Sequence, residues 1–177
     1  MHIRLATFAD IPAITRIYAA FVADGTASFE LEPPSEAEMA ARMRALLDGG
    51  FPYLSAELDG EVVGYAYAGT YRLRPAFRFT VEDSLYIAPV AHRRGVGRTL
   101  LNALVDESTK RGFRQMVAVI GDSPTQTASI ALHKACGFRV VGAIEGAGYK
   151  FGRWLDSFMM QRALGDGTNS PPDEIGR

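Results

Sequence analysis

Cysteine is all but missing from this chain: Cys136 is the only one in 177 residues. A disulfide framework and a cysteine zinc site are therefore excluded, and no metal is expected. An excess of either charge is missing too, since 19 lysines and arginines stand against 20 aspartates and glutamates. At a net charge of −1, no global field draws the protein to nucleic acid or to a membrane surface. No apolar run is long enough to span a bilayer, and Met1-His-Ile-Arg-Leu5 lacks the apolar core of a signal peptide. A soluble cytoplasmic protein is the expectation. What is present suits a globular domain with a filled core: 47% hydrophobic and 22% charged residues.

Periodicity and turn chemistry divide the chain. His2 to Ala6 reads as a strand, and Asp10 as a cap for a helix with Ile11, Ile14, Ile17, Tyr18, Phe21 and Val22 at helical spacing. Ser35 and Glu38 fit a capping box for a second helix that carries Met39, Met43, Leu46 and Leu47. Asp59-Gly60 joins two strand-like runs, 53–58 and 61–70, as a hairpin. A third strand, 80–88, precedes a helix over 96–111 with Leu100, Leu101, Leu104 and Val105 on one face. Gln115 to Ile120 is almost continuously apolar, as a strand buried on both faces should be.

Ser123-Pro124 then reads as the cap and first turn of a helix with Ala128, Ala131, Leu132 and Ala135 on one side. Two last strands, 138–144 and 154–162, flank a glycine-rich connection from Glu145 to Gly152. The expected order is β-α-α-β-β-β-α-β-α-β-β: an α/β fold (α+β mixed sheet) with helices on its faces. Residues 1–164 form one domain, and 165–177 have the composition of a flexible C-terminal tail.

The stretch with chemical content is Val81 to Leu101. Its strand carries an acid, Glu82, and ends at Pro89, and a basic loop, Arg93-Arg94-Gly95-Val96-Gly97-Arg98, leads into the helix. Glycines at 95 and 97 let backbone N–H groups turn toward one point. The helix start adds unpaired N–H groups and the positive end of its dipole. A phosphate-bearing ligand suits such a place, although basic glycine loops between strands and helices also occur without one.

After Tyr86-Ile-Ala-Pro89, the pattern Arg-Arg-Gly-Val-Gly resembles the acyl-CoA signature of the GNAT superfamily of N-acetyltransferases. Ala128-Ser-Ile-Ala-Leu-His133-Lys-Ala-Cys-Gly137-Phe138 is similar to a later helix of that superfamily. A narrower resemblance, to the phosphinothricin and methionine sulfone acetyltransferases, rests on Thr80–Tyr86, Ala118–Ile120, Leu132-His133 and the run from Gly148 to Asp156. The resemblance covers roughly residues 2–163 and implies the GNAT fold, acetyl-CoA as co-substrate, a small amino-acid-like acceptor and a homodimer.

By the same resemblance, Glu82 is the base that takes the proton of the acceptor ammonium. His133 stands where many relatives carry the tyrosine that serves the departing thiolate, and an imidazole with an ordinary pKa of ~6.5 suits that task. Leu85, Tyr86 and Ile87 supply backbone groups to the pantetheine arm, Arg93 to Arg98 cradle the pyrophosphate, and Gln126 stands where relatives carry an asparagine. Arg72 and Arg74, with Arg78 nearby, lie on the substrate side, where a guanidinium suits a carboxylate. Read without the resemblance, Glu82 is an exposed strand glutamate, His133 a histidine satisfied beside a helix, and the arginines a solvated connection. Three other functions stay open: acetylation of a protein N-terminus or polyamine, a non-catalytic acyl-CoA sensor, and nucleic-acid binding, which lacks a basic face.

Overall fold

Asp59 and Gly60 both adopt positive φ, 53° and 85°, as a two-residue hairpin turn of matching twist requires. They join β2 (Tyr53–Leu58) to β3 (Glu61–Thr70), and β3 pairs in turn with β4 (Thr80–Ile87). Before them come β1 (His2–Leu5), α1 (Ile11–Asp24) and α2 (Glu36–Asp48); after them α3 (Val96–Lys110), β5 (Gln115–Gly121), α4 (Thr127–Ala135), β6 (Arg139–Lys150) and β7 (Arg153–Ala163). This computed structural model describes residues 1–172. The expected element order is the one found.

The strands form one mixed sheet in the order β1-β2-β3-β4-β5-β7-β6. Among the described residues β4 and β5 are its one parallel pair, and the other neighbours are antiparallel. Alternation of side chains across the sheet divides the core into two faces. On one, Ala66, Val81, Met116 and Met160 pack beneath Leu100, Leu101 and Leu104 of α3. On the other, Tyr53 and Tyr65 meet Ile14, Val22, Met39 and Met43 of α1 and α2. The helical stripes of α1 and α3 read from the sequence face these cores.

Three local expectations are corrected. Asp10 does not cap α1 with its side chain. Its carboxylate receives both terminal nitrogens of Arg4 at 2.7 Å, the Thr7 N–H at 2.8 Å and the Ser55 hydroxyl at 3.0 Å, which tie β1 to β2. Ser123 does not start α4, because its N–H and hydroxyl are taken by the Asp156 carboxylate at 2.7 and 2.5 Å, and the helix begins at Thr127. The side of α4 that carries Ala128, Ala131 and Ala135 is the exposed one, and His133 is buried. The glycine-rich 145–152 run is no open connection. β6 continues through it to Lys150, absorbing irregular register between Val140 and Gly142 and between Ile144 and Gly148.

The segment expected to be a tail from Gly165 is tied to the body as far as Pro171. Arg114 donates to the carbonyls of Gly167, Ser170 and Pro171 and to the Ser170 hydroxyl. Residues 173–177 lie outside the described residues. No helix among the described residues is long and apolar enough to cross a membrane.

Candidate active site

The parallel ladder of β4 and β5 is short. It runs from Thr80↔Gln115 to Asp83↔Ala118 and stops, although β4 continues to Ile87 on its β3 side and β5 to Gly121 on its β7 side. The two strands part beyond Asp83, and a cleft of about 490 Å³ opens between them. Ser84, Leu85 and Tyr86 line one lip, Val119, Ile120 and Gly121 the other. Backbone groups in the middle of a sheet are thereby freed for a ligand, which a buried sheet normally forbids.

Alternation along β4 sends neighbouring acids to opposite faces. Glu82 shares the α1–α2 face with Ser84 and Tyr86, whereas Asp83 shares the α3 face with Val81 and Ile87. Both reach the cleft because it opens where the strands part. Burial raises the pKa of Glu82, and the adjacent charge of Asp83 raises it further. A carboxylate so placed is a stronger proton acceptor than an exposed glutamate. Facing it across the cleft is the loop after α1, with Ser28, Phe29 and Glu30. The Tyr18 hydroxyl lies 2.9 Å from Ser28 Oγ and donates to Glu30 Oε1 at 2.9 Å, while Arg42 donates to the same carboxylate at 2.6 Å.

On the other face His133 and Asp83 form a buried pair, 4% and 6% exposed. His133 Nε2 lies 3.1 Å from Asp83 Oδ2 and Nδ1 lies 2.8 Å from the Ser129 carbonyl. Both ring nitrogens face oxygen acceptors, which is the hydrogen-bonding pattern of an imidazolium. Burial opposes that charge, but the hydrogen bond and charge of Asp83, with the Ser129 carbonyl, outweigh it and raise the pKa. Asp83 Oδ1 is buried beside the cleft with no hydrogen-bond partner among the described residues.

Beyond β4 the chain turns through Arg93 (φ 58°) and Gly95 (φ 80°) into α3. A side chain at Gly95 would meet no atom within 4 Å, so its conformation and not crowding selects glycine. At Gly97 the reason is proximity: a Cβ would sit 3.1 Å from Leu132 Cδ2. Val96 is buried and anchors the turn, while Arg93, Arg94 and Arg98 are exposed around the helix start. An exposed helix N-terminus ringed by arginines, with a left-handed glycine before it, fits a phosphate group.

This arrangement has close counterparts. The family model of the acetyltransferase (GNAT) domain matches residues 3–159. The chain belongs to the GNAT acetyltransferase family. It is 52% identical over 171 residues to a phosphinothricin N-acetyltransferase of Alcaligenes faecalis, covering 97% of this chain and 86% of that one. It is 39% identical over 173 residues to an L-methionine sulfoximine/L-methionine sulfone acetyltransferase of Salmonella typhimurium, covering 98% and 99%. Among solved structures, a GNAT superfamily phosphinothricin acetyltransferase from Sinorhizobium meliloti in complex with acetyl-CoA superposes with a TM-score of 0.95 at 48% identity, covering 98% and 94%.

In this GNAT acetyltransferase, Glu82, Leu85, Tyr86, Gln126 and His133 come together at the cleft. Ile87 is buried in the core at the end of β4. Gln126 sits just ahead of α4, and its amide makes only a long contact, 3.5 Å to Thr125 Oγ1. Arg72 and Arg74 are not among the lining residues. They lie exposed in the β3–β4 connection, where Arg72 packs over Tyr71 and Phe77. Asp83 escaped the sequence reading, yet it left a trace: a lone acid at a position where the strand's parity calls for an apolar side chain. Tyr18, Ser28 and Glu30 left none, because nothing local links that loop to β4.

Proposed function

We propose that this acetyltransferase transfers the acetyl group of acetyl-CoA to the α-amino group of a small amino acid or analogue of the phosphinothricin and methionine sulfone class. One observation carries the reading: a cleft at the parting of β4 and β5 is lined by the Glu82 carboxylate, and a loop with a left-handed Gly95 and three exposed arginines follows the same strand into α3. The names of the relatives support the acceptor class. Acetyl-CoA supplies an activated thioester, and its pyrophosphate is assigned to Arg93, Arg94, Arg98 and the α3 N-terminus.

Glu82 accepts the ammonium proton, leaving the nitrogen lone pair free to attack. The β4 backbone beyond Asp83, unladdered on its β5 side, offers N–H groups to the carbonyl oxygen as charge grows there. His133 holds a buried positive charge against the sulfur as it departs, and the proton it shares with Asp83 is the one delivered. Direct transfer needs no covalent enzyme intermediate, which leaves Cys136 to packing.

We also propose a homodimer. β6 is an edge strand with Val140, Val141 and Ile144 exposed, and Tyr149, Phe151 and Trp154 stand exposed around its hairpin with β7. An uncovered apolar edge of this kind marks an interface.

A polyamine acceptor is the second reading. Glu30, Glu82 and Asp83 line the cleft, and among the described residues no arginine or lysine does. Release of CoA thiol, followed across amino acids, their sulfone and phosphinate analogues, polyamines and an N-terminal peptide, decides among acceptors. Turnover confined to the amino-acid class is expected. Turnover confined to polyamines or the peptide replaces the proposal, and none at all with any acceptor removes catalysis.

A further inference from the structure

The loop that faces Glu82 has no secondary structure of its own between Gly25 and Ser35, yet its position sets the width of the cleft. It is held from the edge strand β6. Lys150, at the end of β6, is 4% exposed. Its ammonium donates to the carbonyls of Val22 at 2.8 Å, Gly25 at 2.8 Å and Ser28 at 2.9 Å. Those carbonyls belong to the last turn of α1 and to the loop itself, where a helix leaves acceptors unpaired and a cation complements the dipole. Three donors meet three acceptors, so the buried charge is fully hydrogen-bonded, as its burial demands.

The neighbours of Lys150 extend the contact. Phe29 is seated between two glycines. A Cβ at Gly121 would lie 2.5 Å from the Phe29 ring, and one at Gly148, two residues before Lys150, 2.8 Å from it. Past the hairpin turn, Arg153 donates to both oxygens of Asp122, at 3.0 and 2.5 Å, and Asp122 accepts the Thr26 hydroxyl at 2.7 Å.

We propose that Lys150 is a positioning residue for the acceptor amine: by gathering the carbonyls of Val22, Gly25 and Ser28, it fixes Ser28, Phe29 and Glu30 at their distance from Glu82. The inference builds on the acetyl-transfer reading. It places the determinant of acceptor binding on the β6–β7 hairpin, outside the cleft and away from the acetyl-CoA loop. Without the ammonium, the three carbonyls turn to water and the loop loses its fixed register against β4. A shift of about 1 Å in a substrate wall is enough for large kinetic effects.

The test is Lys150→Met in the full chain, with two readouts. Backbone amide exchange should accelerate over residues 25–34 and stay as in the parent over α3. KM for the acceptor should rise about tenfold or more while KM for acetyl-CoA stays within about twofold. Unchanged exchange in 25–34, or the two KM values rising together, would overturn the assignment. Should Lys150→Met not fold, Lys150→Gln retains N–H donors for two of the carbonyls and must show the same split at smaller amplitude; no split overturns the proposal equally. Exchange needs no substrate, so failure of the amino-acid reading would show in the acceptor panel and not here.

Discussion

Asp83→Asn isolates the charge that faces His133. The asparagine keeps the size and shape of the side chain, and only the negative charge goes. In the parent, burial disfavours the imidazolium, and the hydrogen bond and charge of Asp83 more than offset it. The other ionisable groups near the pair are Glu82, on the opposite face of β4, and Cys136 at the end of α4, which Arg98 and Arg162 influence. Neither replaces Asp83. Removing one partner of a buried ion pair costs about 3–5 kcal/mol when the other stays charged. His133 can instead shed its proton, so the low end, about 3 kcal/mol, is appropriate.

The sign with pH follows from the raised pKa. A histidine titrating higher in the folded protein contributes stability that is full below ~6.5 and is lost as pH rises through the folded value. The variant should therefore melt about 6–12 °C below the parent at pH 5.5, at roughly 2–4 °C per kcal/mol, and the gap should shrink in alkaline buffer. Calorimetry at both pH values, with a proton NMR titration of His133, reads both effects. A melting gap independent of pH, or a His133 titration unmoved by the substitution, would refute the imidazolium assignment.

Gly95→Val should weaken acetyl-CoA binding about tenfold in calorimetric titration, since a β-branched residue at φ 80° costs on the order of 1–2 kcal/mol; parent-like affinity would remove the loop from the pyrophosphate site. Trp154→Glu puts a charge on the exposed edge beside β6. Sedimentation velocity should show a dimer for the parent and a monomer for this variant; a monomeric parent would remove the proposed dimer, and an unshifted dimer in the variant would place the interface elsewhere.

Much of the fold was legible because it is locally encoded. Asp59-Gly60, the apolar run of β5 and the stripes of α1 and α3 each carry their structure within a few residues. What escaped depends on partners far along the chain. The glycines of β6 look like a loop until β7 pairs with them, and an edge strand tolerates the bulges they allow. The alanines of α4 mark a helix but not its inner face, which Asp83 sets by drawing in His133 across 50 positions. Glu82, His133 and the Arg93–Arg98 loop could be named from motif context. The parting of β4 and β5 that brings Glu82 and His133 to one cleft is a property of the sheet and has no local signal. Lys150 stood in a recognisable run, but its three carbonyl partners lie more than a hundred residues earlier.

The central claim is that Glu82 takes the proton of the acceptor amine. Its pKa is raised by burial and by Asp83, so the acid limb of kcat/KM against pH should lie above the ~4.3 of an ordinary glutamate. The decisive measurement is that profile for the parent and for Glu82→Gln with the best acceptor from the panel. The account predicts that the variant loses about a hundred- to ten-thousand-fold in turnover, keeps its KM for acetyl-CoA, and loses the acid limb. Parent-like turnover with the limb intact would contradict it.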